Sequence, residues 1–237
     1  DTDRSRGLGD VYKRQMKKRC AQKALAYIQD GMVIGLGGGS TIAHLARFVK
    51  ESGKQVQIVT PSLETETLCI KLGLPLLPLR QISHVDIAFD GCDEADRQFY
   101  ALKSGGGIHV REKLIANMAE EYMLLIDESK LSDTLQFHVP VVMELLEDAT
   151  VYVKRRVEEL QGRFVCKHGE GKYGAVMSDH GNVLADVWFD KVGDPKKLNH
   201  ALKSIAGVVD TSLLTREVTA ILVVSDQGFE LLKKGSV

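Results

Sequence analysis

Metal-binding and disulfide patterns are absent from this sequence of 237 residues. Its four cysteines are widely scattered, and its seven histidines form neither an H-x-x-x-H nor an H-E-x-x-H pattern. The sequence therefore predicts no disulfide framework, no structural zinc site and no catalytic metal. It also favours a reducing compartment, for which we take the cytoplasm as the expectation.

Long hydrophobic runs and a charge excess of either sign are also missing. No apolar run approaches the ~20 residues that are needed to cross a bilayer, and the formal net charge is −1. We therefore expect neither a membrane-spanning segment nor binding to nucleic acid. The composition, 44% hydrophobic and 27% charged, is that of a soluble globular protein, and the length suits one large domain or two smaller ones.

The first fifteen residues differ in character from the rest of the chain. The segment from Asp1 to Gln15 is polar, lacks the apolar core of a secretory signal and ends just before Met16. Within it, the stretch from Arg6 to Gln15 resembles a translated cloning or sequencing adapter. We therefore treat residues 1–15 as a foreign leader that is expected to be disordered, and expect the fold to begin at Met16.

Strand-like and helical patterns alternate through residues 16–135. Short apolar runs end in glycine or aspartate, as buried strands do, and amphipathic stretches separate them. Strands are predicted at Met32–Leu36, Val56–Thr60, Val85–Phe89 and Tyr122–Ile126. Helices are predicted at Thr41–Val49, with Ser40 as N-cap, at Leu63–Leu72 and at Ile108–Ala119. The alternation is typical of an α/β domain with a mostly parallel sheet.

The pattern changes after about Leu135, where antiparallel strands are expected. Strands are predicted at Val139–Met143, Phe164–Lys167, Tyr173–Ser178 and Val183–Trp188, and helices at Val151–Leu160 and Pro195–Ile205. Residues 136–207 are therefore predicted to form a small α+β domain. Two last strands, Val208–Leu214 and Thr219–Val224, are expected to rejoin the first sheet, so residues 208–237 are assigned to the same domain as residues 16–135.

A glycine-rich loop, Gly35–Thr41, is the first candidate site. It joins a predicted strand to a helix whose first N–H groups favour an anion, and the hydroxyls of Ser40 and Thr41 add donors. The loop fits neither G-x-G-x-x-G nor G-x-x-x-x-G-K-[ST], so a small phosphate monoester is favoured over a dinucleotide. The alternative is a tight turn that needs glycine only for close packing.

Three further loops carry acid–base or anion-binding groups. Asp90–Asp96 places four carboxylates after a buried strand, and Lys103–Lys113 combines three glycines with Glu112 about one turn into a helix. Asp127–Lys130 ends another strand with a lysine that can hold a phosphate or an oxyanion. Taken singly, each loop has an ordinary interpretation as a solvated turn. Because parallel strands place their carboxyl ends on one side of a sheet, all four loops are expected to converge on one pocket.

The four loops together resemble the signature blocks of the A-type ribose-5-phosphate isomerases. The matching segments read GLGGGST, DGCDE, LKSGGGIHVREK and DESK, in the order and spacing of that family. The resemblance covers nearly all of the chain from Met16. It implies a Rossmann-like parallel-sheet domain with a smaller, ferredoxin-like α+β domain. It also implies a cytoplasmic homodimer or tetramer that interconverts ribose 5-phosphate and ribulose 5-phosphate in the pentose phosphate pathway, through a metal-free enediolate and without a cofactor.

The same resemblance assigns roles to individual residues. Glu112 is the base that moves a proton between C1 and C2, while Asp90 and Asp93 handle the sugar hydroxyls and ring opening. Lys103 stabilises the oxyanion together with loop amides. The residues implied in substrate binding are Lys17, Gly38, Gly39, Ser40, Thr41, Gly91, Cys92, Ser104, Gly105, Gly106 and Lys130.

The sequence departs from the family pattern at a few positions outside the implied carboxylates and lysines. Gly38 stands where the family's loop has threonine, Ser104 stands where it has glycine, and Pro61–Thr65 differs from the usual stretch. The alternatives are an isomerase of another phosphorylated aldose, an amino-sugar-phosphate deaminase and a non-catalytic sugar-phosphate-binding protein. The deaminase needs a catalytic histidine, whereas His109 is expected to be a packed or surface residue. The sensor would be expected to have lost Glu112.

Overall fold

Residues 2–169 and 174–235 are described by a computed structural model, in which the chain divides into two compact units. The first unit comprises Asp1–Gly91, Ile115–Leu131 and Val218–Val237, and the second comprises Cys92–Leu114 and Ser132–Glu217. These units follow spatial compactness. The domain boundaries that we expected at residues 135/136 and 207/208 stay a prediction.

Six α-helices and fourteen strands lie in the described part of the chain. The helices are α1 Thr2–Ala24, α2 Ser40–Ser52, α3 Leu63–Leu72, α4 His109–Met118, α5 Thr150–Glu159 and α6 Pro195–Lys203. The first seven strands are β1 Val33–Leu36, β2 Gln57–Val59, β3 Val85–Asp90, β4 Glu94–Asp96, β5 Ala101–Leu102, β6 Ala119–Asp127 and β7 Leu131–Ser132. The others are β8 Val141–Leu145, β9 Arg163–Cys166, β10 Val183–Trp188, β11 Val208–Thr211, β12 Leu213–Leu214, β13 Ala220–Ser225 and β14 Gly228–Lys233.

The first unit is built on a six-stranded sheet in the order β14-β13-β6-β3-β1-β2. All neighbouring strands are parallel except β13 and β14, which form an antiparallel pair. Strands β1, β3 and β6 are rich in buried aliphatic residues, as strands covered on both faces require. Their carboxyl ends lie at the same edge of the sheet, and the loops that begin at Gly37, Asp90 and Asp127 follow there.

The second unit contains two four-stranded sheets. One has the antiparallel order β11-β8-β10-β9, and the other has the order β12-β5-β4-β7. Helix α5 buries Val153 and Val157, and helix α6 buries Leu202, in a core that also includes Met143 and Val187. The α/β class with an additional α+β part is thus confirmed.

Three details of the sequence-based prediction are wrong. The segment Val208–Leu214 does not rejoin the parallel sheet: β11 pairs with β8, and β12 pairs with β5. Of the strand expected at Tyr173–Ser178, Tyr173 lies outside the described residues, and the rest forms only isolated bridges. Ser40 is the first residue of α2 rather than its N-cap, which is Gly39 at φ 88°.

The leader is helical rather than disordered, because α1 begins at Thr2 and runs to Ala24. Residues 11–15 are exposed, whereas Met16, Cys20 and Ala21 are buried. Lysine, arginine and glutamine are good helix formers, which suits a solvated extension of the buried part of this helix. The foreign origin of residues 1–15 stays a prediction. No helix among the described residues is long and apolar enough to span a membrane.

Candidate active site

In the first unit, the glycine loop lies between β1 and α2. At Gly35, an added Cβ would stand 2.6 Å from the Cβ of Ala88, so the close approach of β1 to β3 requires glycine here. The left-handed backbone of Gly39 turns the chain into α2, whose first residues are Ser40 and Thr41. Because α2 has 13 residues and starts directly at this turn, its first N–H groups are available to an anion.

A buried carboxylate lies directly against this loop. Asp90, the last residue of β3, is 2% exposed, and a Cβ placed on Gly37 would overlap with its carboxylate. The Tyr122 hydroxyl donates to Asp90 Oδ2 at 2.9 Å, and the N–H of Gly91 donates to Oδ1 at 2.8 Å. These two donors compensate for the burial of the carboxylate and fix its orientation.

Basic side chains line a cavity of about 670 Å³ at the start of α2 in the same unit. Ser40 and Lys17 border it, together with Lys18, His44 and Arg47. Burial, Arg47 and neighbouring lysines lower the pKa of His44, which favours its neutral form. The remaining cations make this cavity suited to a phosphate group. Lys130 lies elsewhere in the unit, at the end of the short 3₁₀ helix Glu128–Lys130 that follows β6.

In the second unit, an ion pair joins the two residues that sequence analysis assigned to proton transfer and charge stabilisation. Lys103 Nζ lies 3.2 Å from Glu112 Oε1, and both side chains are 8% exposed. Lys103 follows strand β5, and Glu112 is the fourth residue of α4, so the glycine segment between them returns the chain over a short distance. Gly107, at φ 64°, ends that segment, while Gly105 and Gly106 are exposed and can offer backbone donors to a ligand.

Asp93 holds the start of the same glycine segment. Its Oδ2 accepts the backbone N–H of Ser104 at 2.6 Å, and the Ser104 hydroxyl donates to the carbonyl of Pro140 at 2.6 Å. The hydroxyl of Ser104, where the resembled family has glycine, is therefore directed at the protein backbone. Cys92, next to Asp93, is buried.

The other two carboxylates of the acidic loop have structural roles. Glu94 accepts backbone N–H groups from Gln136, Phe137 and Val139. Asp96 likewise accepts N–H groups from Gln98, Tyr100 and Leu135. Only Asp90 and Asp93 remain as catalytic candidates, as the sequence resemblance implied.

Two features of the site were missed by sequence reasoning. Tyr122, the partner of Asp90, is a single tyrosine in a strand of aliphatic residues, and that contrast was its only signal. The ion pair of Lys113 with Asp210, at 3.0 Å, joins residues 97 positions apart, and no motif indicates it. His109 is packed, at 1% exposure, and burial lowers its pKa to about 4, so it remains neutral and is unsuited to general acid–base work at neutral pH.

We expect Gly38→Thr to be tolerated. Among the described glycines, Gly38 is not one of those with positive φ, so a β-branched residue meets no left-handed backbone there. Solubility and melting temperature should remain close to those of the parent, and kcat for ribose 5-phosphate within ~10-fold. Gly39→Thr, at φ 88°, is the strained control and should lower the melting temperature. Aggregation of the Gly38 variant would show that glycine is required at this position.

Comparison with known proteins identifies close relatives of this chain. A sequence profile of the family described as Ribose 5-phosphate isomerase A (phosphoriboisomerase A) matches residues 57–228. A ribose-5-phosphate isomerase A from Prochlorococcus marinus (strain MIT 9211) is 37% identical over 215 residues, 88% of this chain and 91% of the relative. One from Thermosynechococcus vestitus is 36% identical over 221 residues, 91% of this chain and 94% of the relative.

Solved structures give the same result for the fold. Ribose 5-phosphate isomerase A from Methanocaldococcus jannaschii has a TM-score of 0.87 at 36% identity, covering 93% of this chain and 99% of that chain. A D-ribose-5-phosphate isomerase in complex with phospho-erythronic acid has a TM-score of 0.88 at 30% identity, covering 93% of this chain and 98% of that chain.

Proposed function

The chain belongs to the ribose 5-phosphate isomerase A family and is a ribose 5-phosphate isomerase, and we propose that Glu112 is its catalytic base. The observation that carries this proposal is the buried ion pair of Glu112 with Lys103 at 3.2 Å. An aldose–ketose isomerisation needs a base for the proton next to the carbonyl and a cation for the negative charge that develops on oxygen. This pair supplies both in one place.

The reaction is an intramolecular oxidoreduction in which two protons move. Glu112 removes the proton from C2 of the open-chain aldose, and the electron pair moves to the carbonyl oxygen, which gives an enediolate. Lys103, with the amides of Gly105 and Gly106, stabilises the charge on the enediolate oxygens. Glu112 then returns a proton to C1, and the hydroxyl proton shifts between the oxygens to give the ketose.

The remaining assigned residues bind the sugar and its phosphate in this proposal. Asp90 and Asp93 contact hydroxyl groups and assist ring opening, with Gly91, Cys92 and Ser104 next to them in sequence. The phosphate group occupies the start of α2. The groups proposed to bind it are Lys17, Gly38, Gly39, Ser40, Thr41 and Lys130. A relative in complex with phospho-erythronic acid supports a phosphorylated sugar as ligand, and binding of the phosphate would orient the reacting carbons.

We also propose a cytoplasmic location and a homodimer or tetramer. All four cysteines are free, which suits a reducing compartment. The family resemblance supports a homo-oligomer, and light scattering of the purified chain will give its mass in solution. The pentose phosphate pathway is the metabolic setting that the activity implies.

We expect turnover of ribose 5-phosphate to persist in excess EDTA. The proposed chemistry needs only a carboxylate and a cation, and no group of three His, Cys, Asp or Glu residues in the described chain is arranged to hold a metal. The experiment is a coupled assay of ribulose 5-phosphate formation with and without EDTA. Other aldose phosphates form a parallel panel. Activity that is lost in EDTA and restored by a divalent ion would contradict the mechanism, and faster turnover of another aldose would reassign the substrate.

A further inference from the structure

Two neighbours of Glu112 on α4 are held by the same residue of strand β11. Lys113 Nζ lies 3.0 Å from Asp210 Oδ1, and His109 Nε2 lies 3.4 Å from the backbone oxygen of Asp210. His109 and Lys113 are four residues apart, so they share one face of the helix, and Glu112 projects from an adjacent position. Contacts on both turns of that face fix the rotation of the helix start, and with it the direction in which Glu112 points.

The ion pair between Lys113 and Asp210 is unusually secluded. The two side chains are 3% and 15% exposed. Burial lowers the pKa of Lys113, which Asp210 and Glu217 partly offset. Burial alone would raise the pKa of Asp210, but Lys113, the N–H of Thr211 and Lys203 together lower it below its ordinary value. Both groups are therefore charged near neutral pH, and each depends on the other for compensation.

The segment that contains Asp210 also contacts the strand end that carries Lys103. The backbone N–H of Lys103 donates to the carbonyl of Ser212 at 3.2 Å. Ser212 is itself fixed on β8, since its N–H donates to Val142 O at 2.7 Å and its Oγ accepts the N–H of Val142 at 2.8 Å. Three consecutive residues, Asp210 to Ser212, thus hold the start of α4 and the backbone of Lys103 on one sheet.

We propose that Asp210 is a positioning residue for the isomerisation, which acts through Lys113 and His109 to keep the Glu112 carboxylate beside the Lys103 ammonium. The proposal rests on the proposed role of Glu112 as the base. Asp210 itself makes no contact with the substrate in this account. Its removal should therefore reduce the rate of the chemical step rather than the affinity for ribose 5-phosphate.

The test replaces the whole ion pair by apolar residues of similar size. Asp210→Asn alone would leave Lys113 buried without its partner and may unfold the chain, whereas the double variant Asp210→Leu/Lys113→Met avoids an unpaired buried charge. We expect it to fold and to show kcat lowered by ~10-fold or more, with KM changed by less than ~3-fold. The matched control is Lys167→Met/Asp186→Leu, which removes a 2.8 Å ion pair of the same unit away from α4 and should keep parental kcat.

A purely structural role is separated by combining the double variant with Glu112→Gln. If Asp210 acts through Glu112, removing the ion pair in the Glu112→Gln background lowers kcat no further. Equal fold-losses in both backgrounds would overturn the proposal, as would a folded double variant with parental kcat. Near-parental turnover of Glu112→Gln by itself would instead reject the proposed function, so the two failures are distinguishable.

Discussion

Replacing Glu112 by glutamine is expected to lower kcat for ribose 5-phosphate by at least ~10²-fold, with KM changed by less than ~3-fold. The amide keeps the size of the side chain and one oxygen acceptor toward Lys103, which lies 3.2 Å from the carboxylate. It cannot accept the proton from C2 of the sugar. The loss therefore falls on the chemical step, and the measurement is a steady-state assay over a range of substrate concentrations.

The control for this experiment is Glu120→Gln. Glu120 lies in strand β6, not in the helix of Glu112 as sequence analysis expected, and its side chain is 72% exposed. Its replacement should leave kcat within ~2-fold of the parent, since surface substitutions away from special features have small effects. Equal activity of the two variants would reject Glu112 as the base. Thermal melting of both variants checks that any lost activity does not come from unfolding.

Substituting alanine for Gly37 is expected to have the second largest effect. The new Cβ would overlap with the carboxylate of Asp90, which is held by the Tyr122 hydroxyl and the N–H of Gly91. The carboxylate must move, and a displacement of about 1 Å in a reacting group can cost ~10²-fold in rate. Overpacking of this kind also destabilises by about 1–3 kcal/mol. We therefore expect kcat to fall by ~10- to 10²-fold and the melting temperature to fall with it.

Gly193→Ala is the matched control for the Gly37 variant. No heavy atom lies within 4 Å of a Cβ at Gly193, and its φ is not positive, so an alanine fits there without displacing a neighbour. It should keep parental kcat and melting temperature. A Gly37→Ala variant that loses stability but keeps kcat would show that the position of Asp90 does not matter for the reaction.

The sequence predicted the parallel sheet because its strands have strong local signals. Runs such as Val85–Phe89 are apolar, short and followed by aspartate, and helix α3 was predicted with the bounds that it has, Leu63–Leu72. The segment Val208–Leu214 failed because an apolar strand does not encode its partner. Its pairing with β8 and β5 depends on contacts between residues far apart in sequence. A local pattern therefore gives the element but not its place.

Candidate residues followed the same division. Glu112 and Lys103 could be selected because they stand in a short motif around a glycine segment, and the structure places them 3.2 Å apart. Tyr122 and Asp210 could not be selected, because their roles come from partners 32 and 97 residues away. The convergence of the four loops on one pocket, and the role of each residue, stay predictions that the variants above will test.

The central claim, proton transfer through an enediolate, is tested most directly by isomerisation in D₂O. The chain is given unlabelled ribose 5-phosphate in D₂O, and the ribulose 5-phosphate formed at low conversion is analysed by NMR for deuterium bound to C1. Transfer by a carboxylate base allows the abstracted proton to exchange with solvent before it is returned. We predict ribulose 5-phosphate that carries deuterium at C1. Product that forms at the normal rate without any carbon-bound deuterium would mean direct hydride transfer from C2 to C1 and would contradict the account.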